Sequence, residues 1–251
     1  MTIAIANEDL FGPLLRNIDA ACASRGIALR RCSLEECGEL LLASMVDAAL
    51  VSPLGYGSGV GRVDYRIVGG PCLALQDYTH VFGADFTPGA ADLLTYQPES
   101  KAAGGQGSFM STIMHMTLSE KFDVELRPAQ AGETADCVFG APPSSAMQSL
   151  DLGEEWFDLA EAPLPIAIWT IRVDSEIENF DALVADAADA ALQQRPVSEL
   201  VPVTSEHAPR EGAILYRWSD SVEEGLVATL NALYFRQLLP EIPAVKLYGR
   251  D

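Results

Sequence analysis

The sequence predicts an α/β protein of two lobes, and three observations carry the prediction. Apolar runs with strand spacing alternate with helical spacing in the order β-α-β-α-β over the first 60 residues. A central block with its own strands and helix then interrupts that order, and turn residues in TPGAADLLTY mark where it starts. Helical patterns return near the end. Residues 1–85 plus 168–251 are therefore expected to form a discontinuous first lobe, with 86–167 inserted as the second. A hydrophobic content of 49% over 251 residues is enough for a core of that size.

Element by element, TIAIAN alternates and ends in polar residues, so it reads as a first strand. FGPLLRNIDAACASRG has helical spacing and a Gly stop, and IALRRCS is the second strand. LEECGELLLASMVD is the next helix, and DAALVSPLGYG is a buried strand running into a Gly-rich loop. This order implies a parallel sheet, with ligand sites just past the carboxyl ends of its strands. GPCLALQDYTHVFGADF is one long extended stretch. In the central block, AAGGQGSFMSTIMHMTLSEKF is a Gly-rich loop leading into a helix, while VELRPAQ and DCVFGAPPSS are strands. A short helix from Asp151 leads to the apolar run LPIAIWTIRV, followed by a long Ala-rich helix, DALVADAADAALQQ. A polar loop with prolines precedes a last helical region from Ser221 to Leu239. The crossings between lobes are expected near Gln76 to Phe86 and Pro165 to Arg172.

Composition restricts the function. Acidic residues number 36 against 16 basic, a net charge of −20, so nucleic acid and anionic membrane surfaces are poor partners. Any anionic ligand has to be held by local groups against that field. The five cysteines, Cys22, Cys32, Cys37, Cys72 and Cys137, form no CxxC pair, and three histidines are the only imidazole ligands, which argues against a zinc site or a disulfide framework. Asn7, Glu8 and Asp9 break the first apolar run before it could serve as a secretory signal, and no segment reaches the ~18 apolar residues of a membrane span. The expectation is a cytoplasmic protein.

The loop GGQGSFMST is the strongest candidate site. Gly107 allows close approach of a ligand, and Ser108, Ser111 and Thr112 place hydroxyls and free N–H groups at a helix start, where the dipole favours a carboxylate. The alternative is that Ser108 or Ser111 only caps the helix. Asn7, Glu8 and Asp9 end the first strand at the rim of the expected cleft. There a carboxylate with a raised pKa could act as a base, or the segment could be a solvated loop. Ser52 and Tyr56, after the third strand, are ligand contacts or turn residues. His80 is an acid, a base or a hydrogen-bonded structural residue, while His115 reads as packing. No nucleophile elbow, P-loop or dinucleotide fingerprint is present. Trp156 and Trp169 read as core anchors.

The stretch DLGEEWFDLAEAPLPIAIW resembles a segment of the menaquinone-biosynthesis family of the futalosine route, chorismate dehydratase and its relatives. There an Asp-Leu-Gly-x-x-Trp helix runs into an apolar strand ending in Trp. VDAALVSPLGYG with YRIV downstream, GSFMSTIMHMTL and ILYRWSDSVEEGL resemble further family segments in the same order. The resemblance covers nearly the whole chain. It implies the type II periplasmic-binding-protein-like fold, with mixed sheets and helices on both faces, used as a cytosolic lyase that eliminates water from chorismate without metal or organic cofactor. It also implies substrate contacts at Ser52, Tyr56, His80, the GGQGSFMST loop and Gly140. Two departures stand out. The family's catalytic Asn falls at Leu10, so Asn7, Glu8 or Asp9 has taken over or dehydration has been lost. Where the family has Gly-Asp, Gly140 is followed by Ala141. The alternative function is a non-catalytic protein that binds a small, chorismate-like carboxylate.

Overall fold

Strand β1, Thr2–Ala6, is buried from Ile3 through Ala6, because its apolar residues face packed layers on both sides. A computed structural model describes the chain over residues 1–86, 93–98, 109–129, 134–140, 148–196 and 212–250. The chain divides into two compact units. Unit 1 is Met1–Ala74, Leu164–Gln194 and Leu215–Asp251; unit 2 is Leu75–Pro163 and Arg195–Ile214.

After β1, a 3-10 turn at Asp9–Phe11 leads into α1, Gly12–Leu15, and α2, Ile18–Ala23. The single helix expected here is broken at Asn17, whose backbone N–H donates to the Ala187 carbonyl instead of continuing a helical ladder. β2 is Ala28–Cys32, α3 is Leu34–Leu42 and β3 is Ala48–Val51. The Gly-rich segment expected to be a loop is helix α4, Pro53–Gly59. Ser52 caps it by accepting from the Gly55 N–H, and Pro53 presets its first turn. That local chemistry overrides the poor helix propensity of its glycines.

The long strand β4, Tyr65–Asp77, and the short β5, Gly83–Phe86, follow. Next come β6, Leu93–Pro98, α5, Phe109–Phe122, β7, Glu125–Pro128, and β8, Cys137–Gly140. β9, Gln148–Asp151, which the sequence pattern did not suggest, runs directly into α6, Leu152–Ala160. β10, Leu164–Arg172, is buried along its first eight residues. α7 spans only Phe180–Ala187, shorter than the Ala-rich pattern suggested. β11, Gln194–Pro196, β12, Gly212–Arg217, and α8, Asp220–Phe235, complete the described elements.

The seven-stranded sheet has the order β11-β12-β4-β10-β3-β1-β2. β1 lies parallel to β2 and to β3, and β10 runs antiparallel to β3 with Trp169 opposite Leu50. Trp169, fully buried, meets the Phe180 ring edge-on at 5.9 Å, which fixes α7 against this sheet. The second sheet, β7-β6-β8-β5-β9, belongs to unit 2 and is also mixed: β6 is parallel to β7 and β8, while β5 is antiparallel to β8 and β9. Among the described residues no helix is long and apolar enough to cross a membrane.

Helices α3 and α4 meet backbone to backbone, since a Cβ on Gly38 would lie 3.1 Å from the Cα of Gly55. Gly38→Ala should push them apart and destabilise the protein by about 1–3 kcal/mol, the usual cost of overpacking, measured by equilibrium urea unfolding.

Candidate functional site

In unit 1 the sheet order β3-β1-β2 places the reversal of strand order between β1 and β3, the position at whose carboxyl edge doubly wound sheets generally bind ligands. Asn7 to Asp9 leave β1 at that edge, and Ser52 leaves β3 there. Asn7 is exposed, and its N–H donates to the Cys32 carbonyl. Asp9 is exposed at the start of the 3-10 turn. Glu8 turns the other way: its Oε1 accepts from the Leu34 N–H at the start of α3, while its Oε2 is buried without a hydrogen-bond partner. Its carboxylate thus occupies the positive end of α3. The Ser52 hydroxyl is buried as the α4 cap, and Tyr56 is a core residue whose hydroxyl donates to the Ala244 carbonyl at 2.7 Å.

Beside Glu8, two of the scattered cysteines come together, with Cys32 and Cys37 Sγ atoms 3.3 Å apart. Burial pushes both thiols above their ordinary pKa, and the Glu8 carboxylate adds to that. They are neutral packing groups at neutral pH.

In unit 2 a second arrangement centres on Asp151. Its carboxylate caps α6 through the Glu154 N–H at 3.1 Å. It also accepts from the backbone N–H groups of Thr79 at 3.1 Å and His80 at 2.7 Å. The Leu152 N–H donates to the Phe82 carbonyl. Residues 77–82 are therefore fastened to the start of α6. Burial raises the Asp151 carboxyl from an ordinary 3.8 to about 6, and the N–H groups of Glu154, Thr79, His80 and Gly153 act in the opposite direction. Gly153 is needed because a Cβ there would strike the Asp77 carbonyl oxygen.

His80 is half-buried on this turn, with Nδ1 3.2 Å from the Tyr78 hydroxyl. Burial lowers its imidazole below the ordinary range, and the Asp85 carboxylate opposes the shift. Ser111 and Thr112 lie in the first turn of the 14-residue α5, both partly exposed. Gly140 ends β8 opposite Gly83. Gly107 and Ser108 lie outside the described residues, as do Ala141 and Ser144. His115 is on α5, partly exposed. In the sequence Asp151 reads only as a helix start, and nothing singles out Tyr78. The Asp-x-Gly spacing across a strand-to-helix junction was the available signal for the first.

No protein-family model and no curated protein sequence matches the chain. Solved structures do match it over nearly its full length. Protein AF1704 from Archaeoglobus fulgidus superposes with a TM-score of 0.57 at 14% identity, covering 95% of this chain and 98% of its own. The periplasmic aliphatic sulphonate binding protein SsuA from Escherichia coli gives 0.54 at 12% identity, covering 100% and 94%. The CA3427 gene product of Candida albicans, described as having the generic periplasmic binding protein structural fold, gives 0.51 at 12% identity, covering 100% and 98%. The chain has the periplasmic-binding-protein-like fold, and identities this low speak for the fold alone.

The raised Asp151 pKa sets a pH dependence of defined sign. The folded state holds the Asp151 proton more tightly than the unfolded chain, so ionisation disfavours folding. Relative to the non-titrating Asp151→Asn variant, the stability of the wild type should fall by up to about 3 kcal/mol as pH rises from about 4 to about 6, and level off above. Urea unfolding of both proteins across this range checks it. Wild-type stability that rises relative to the variant over this range would reverse the assignment.

Proposed function

We propose that the protein binds a small organic anion bearing a carboxylate, and that the first turn of α5 supplies its main donors. One observation carries this reading. Every other described helix of eight residues or more has an acidic side chain in its first turn: Glu35 and Glu36 in α3, Glu154 and Glu155 in α6, Asp181 in α7, and Asp220 and Glu223 in α8. α5 has none. In a chain of net charge −20, the first turn of α5 carries no carboxylate of its own, and Ser111 and Thr112 lie in that turn. The fold adds support, because the Escherichia coli neighbour is a sulphonate-binding protein and a sulphonate, like a carboxylate, is an anion with several acceptor oxygens.

A second reading makes the protein a chorismate dehydratase-like lyase of menaquinone biosynthesis. The full-length resemblance favours it, as do the exposed Asn7 and Asp9 at the carboxyl edge of β1. On that reading one of them moves the proton that the family's Asn serves, since Leu10 cannot. Glu8 is the weaker choice because its carboxylate is committed to α3.

Calorimetry with chorismate, together with chromatography of the incubated mixture for the enol-ether benzoate, tests both readings. Binding without product leaves the anion-binding reading; product that disappears in Asp9→Ala supports the lyase. Ser111→Pro deletes one N–H donor in a helix turn that tolerates proline, and it should weaken chorismate binding about tenfold. Unchanged affinity would remove α5 from the site.

A further inference from the structure

The turn that carries His80 is held far more firmly than a connection between strands requires. Asp77 and His80 both have left-handed backbones, with φ of 57° and 55°, a conformation that costs non-glycine residues free energy. Asp77 closes on its own chain, with Oδ1 accepting from the Tyr78 N–H at 2.7 Å. From α6, the Asp151 carboxylate takes the N–H groups of Thr79 and His80. Two glycines then clamp the backbone: a Cβ on Gly153 would strike the Asp77 carbonyl oxygen, and one on Gly212, in β12, would strike the carbonyl of Tyr78. All these residues belong to unit 2.

What the turn displays is a paired imidazole and phenol. The Tyr78 hydroxyl lies 3.2 Å from His80 Nδ1, and the two rings are tilted at 39° with centroids 6.1 Å apart. The Tyr78 hydroxyl can donate to Nδ1 or accept from it; when it accepts, Nδ1 carries the proton and Nε2 is the basic nitrogen. Among the described residues, the charged and titratable groups around the imidazole include Tyr78 on the turn, Asp85 on β5 and Asp151 at the start of α6. Burial outweighs the Asp85 carboxylate, so the ring is neutral at pH 7.

We propose that the Tyr78–His80 pair is a proton-accepting site for an acidic C–H or O–H of a small carboxylate ligand, and that Asp151, Gly153 and Gly212 position it. The proton passes to an imidazole nitrogen and the electron pair stays on the ligand. Tyr78 and Asp151 are positioning residues in this scheme. The ligand class rests on the anion-binding reading; the base rests on the turn.

Diethyl pyrocarbonate provides a test that needs no natural ligand. An unprotonated imidazole nitrogen attacks the reagent's carbonyl and expels ethyl carbonate, and mass spectrometry separates His80 from His115 and His207. In the full chain, the His80 rate should show a pH midpoint below the ordinary value of about 6.5. Tyr78→Phe should change its rate at neutral pH by about threefold or more, and Asp151→Asn should relax the turn and move the midpoint up towards 6.5. A midpoint at or above 6.5, or variant profiles that superpose on the wild type, would overturn the proposal; Tyr78→Phe decides the matter if Asp151→Asn does not fold. Saturating chorismate should slow modification of His80 about tenfold. Chorismate bound by calorimetry without protection of His80 would also overturn the proposal. Failure of chorismate to bind defeats the anion-binding reading, and the pH profile still decides the base.

Discussion

The rest of unit 2 depends on one buried carboxylate. Asp151 is 2% exposed, and its removal from water is tolerable because backbone N–H groups from two separate stretches of chain converge on it. Those donors are themselves orphans, two on a turn and one at a helix start, so the carboxylate and the amides each satisfy what the other would leave unpaired. The turn after β4 and the start of α6 therefore fold as one object. β9 delivers Asp151 to this point by pairing antiparallel with β5, Asp151 standing opposite Gly83. The ion pairs of Lys121 with Glu155 and Asp158 then join the far end of α5 to α6.

Much of this architecture was legible in the sequence. The alternation in TIAIAN, the helical spacing of LEECGELLLASMVD and the apolar run into Trp169 each describe local physics that the structure repeats. The misses have identifiable causes. α4 was read as loop because glycine has poor intrinsic propensity, yet a Ser-Pro start and the approach of Gly38 make a glycine-bearing helix the form that fits. The helix after β1 was read as continuous because the bond from Asn17 to Ala187 joins residues 170 positions apart, and no local window contains it.

Candidate site residues were harder to rank, because their chemistry depends on what their neighbours have already claimed. Glu8 and Asp9 are adjacent carboxylates in the sequence, but one occupies a helix start and the other faces solvent. Ser52 and Tyr56 carry hydroxyls that the fold uses internally. The stretch from Asp151 to Trp169 shows the same thing in another way. Its residues visibly hold structure in place, Asp151 fastening the turn after β4 and Trp169 meeting the Phe180 ring.

All five cysteines are free and buried, four in unit 1 and Cys137 alone in unit 2. A thiol reagent cannot reach any of them until the structure around it opens, and each unit thus carries its own internal clock. The rate at which Cys137 is labelled reports the opening of unit 2, and the rates at the other four report the opening of unit 1. Two units built on one interrupted chain can in this way be timed separately in the unmodified protein, with no probe added.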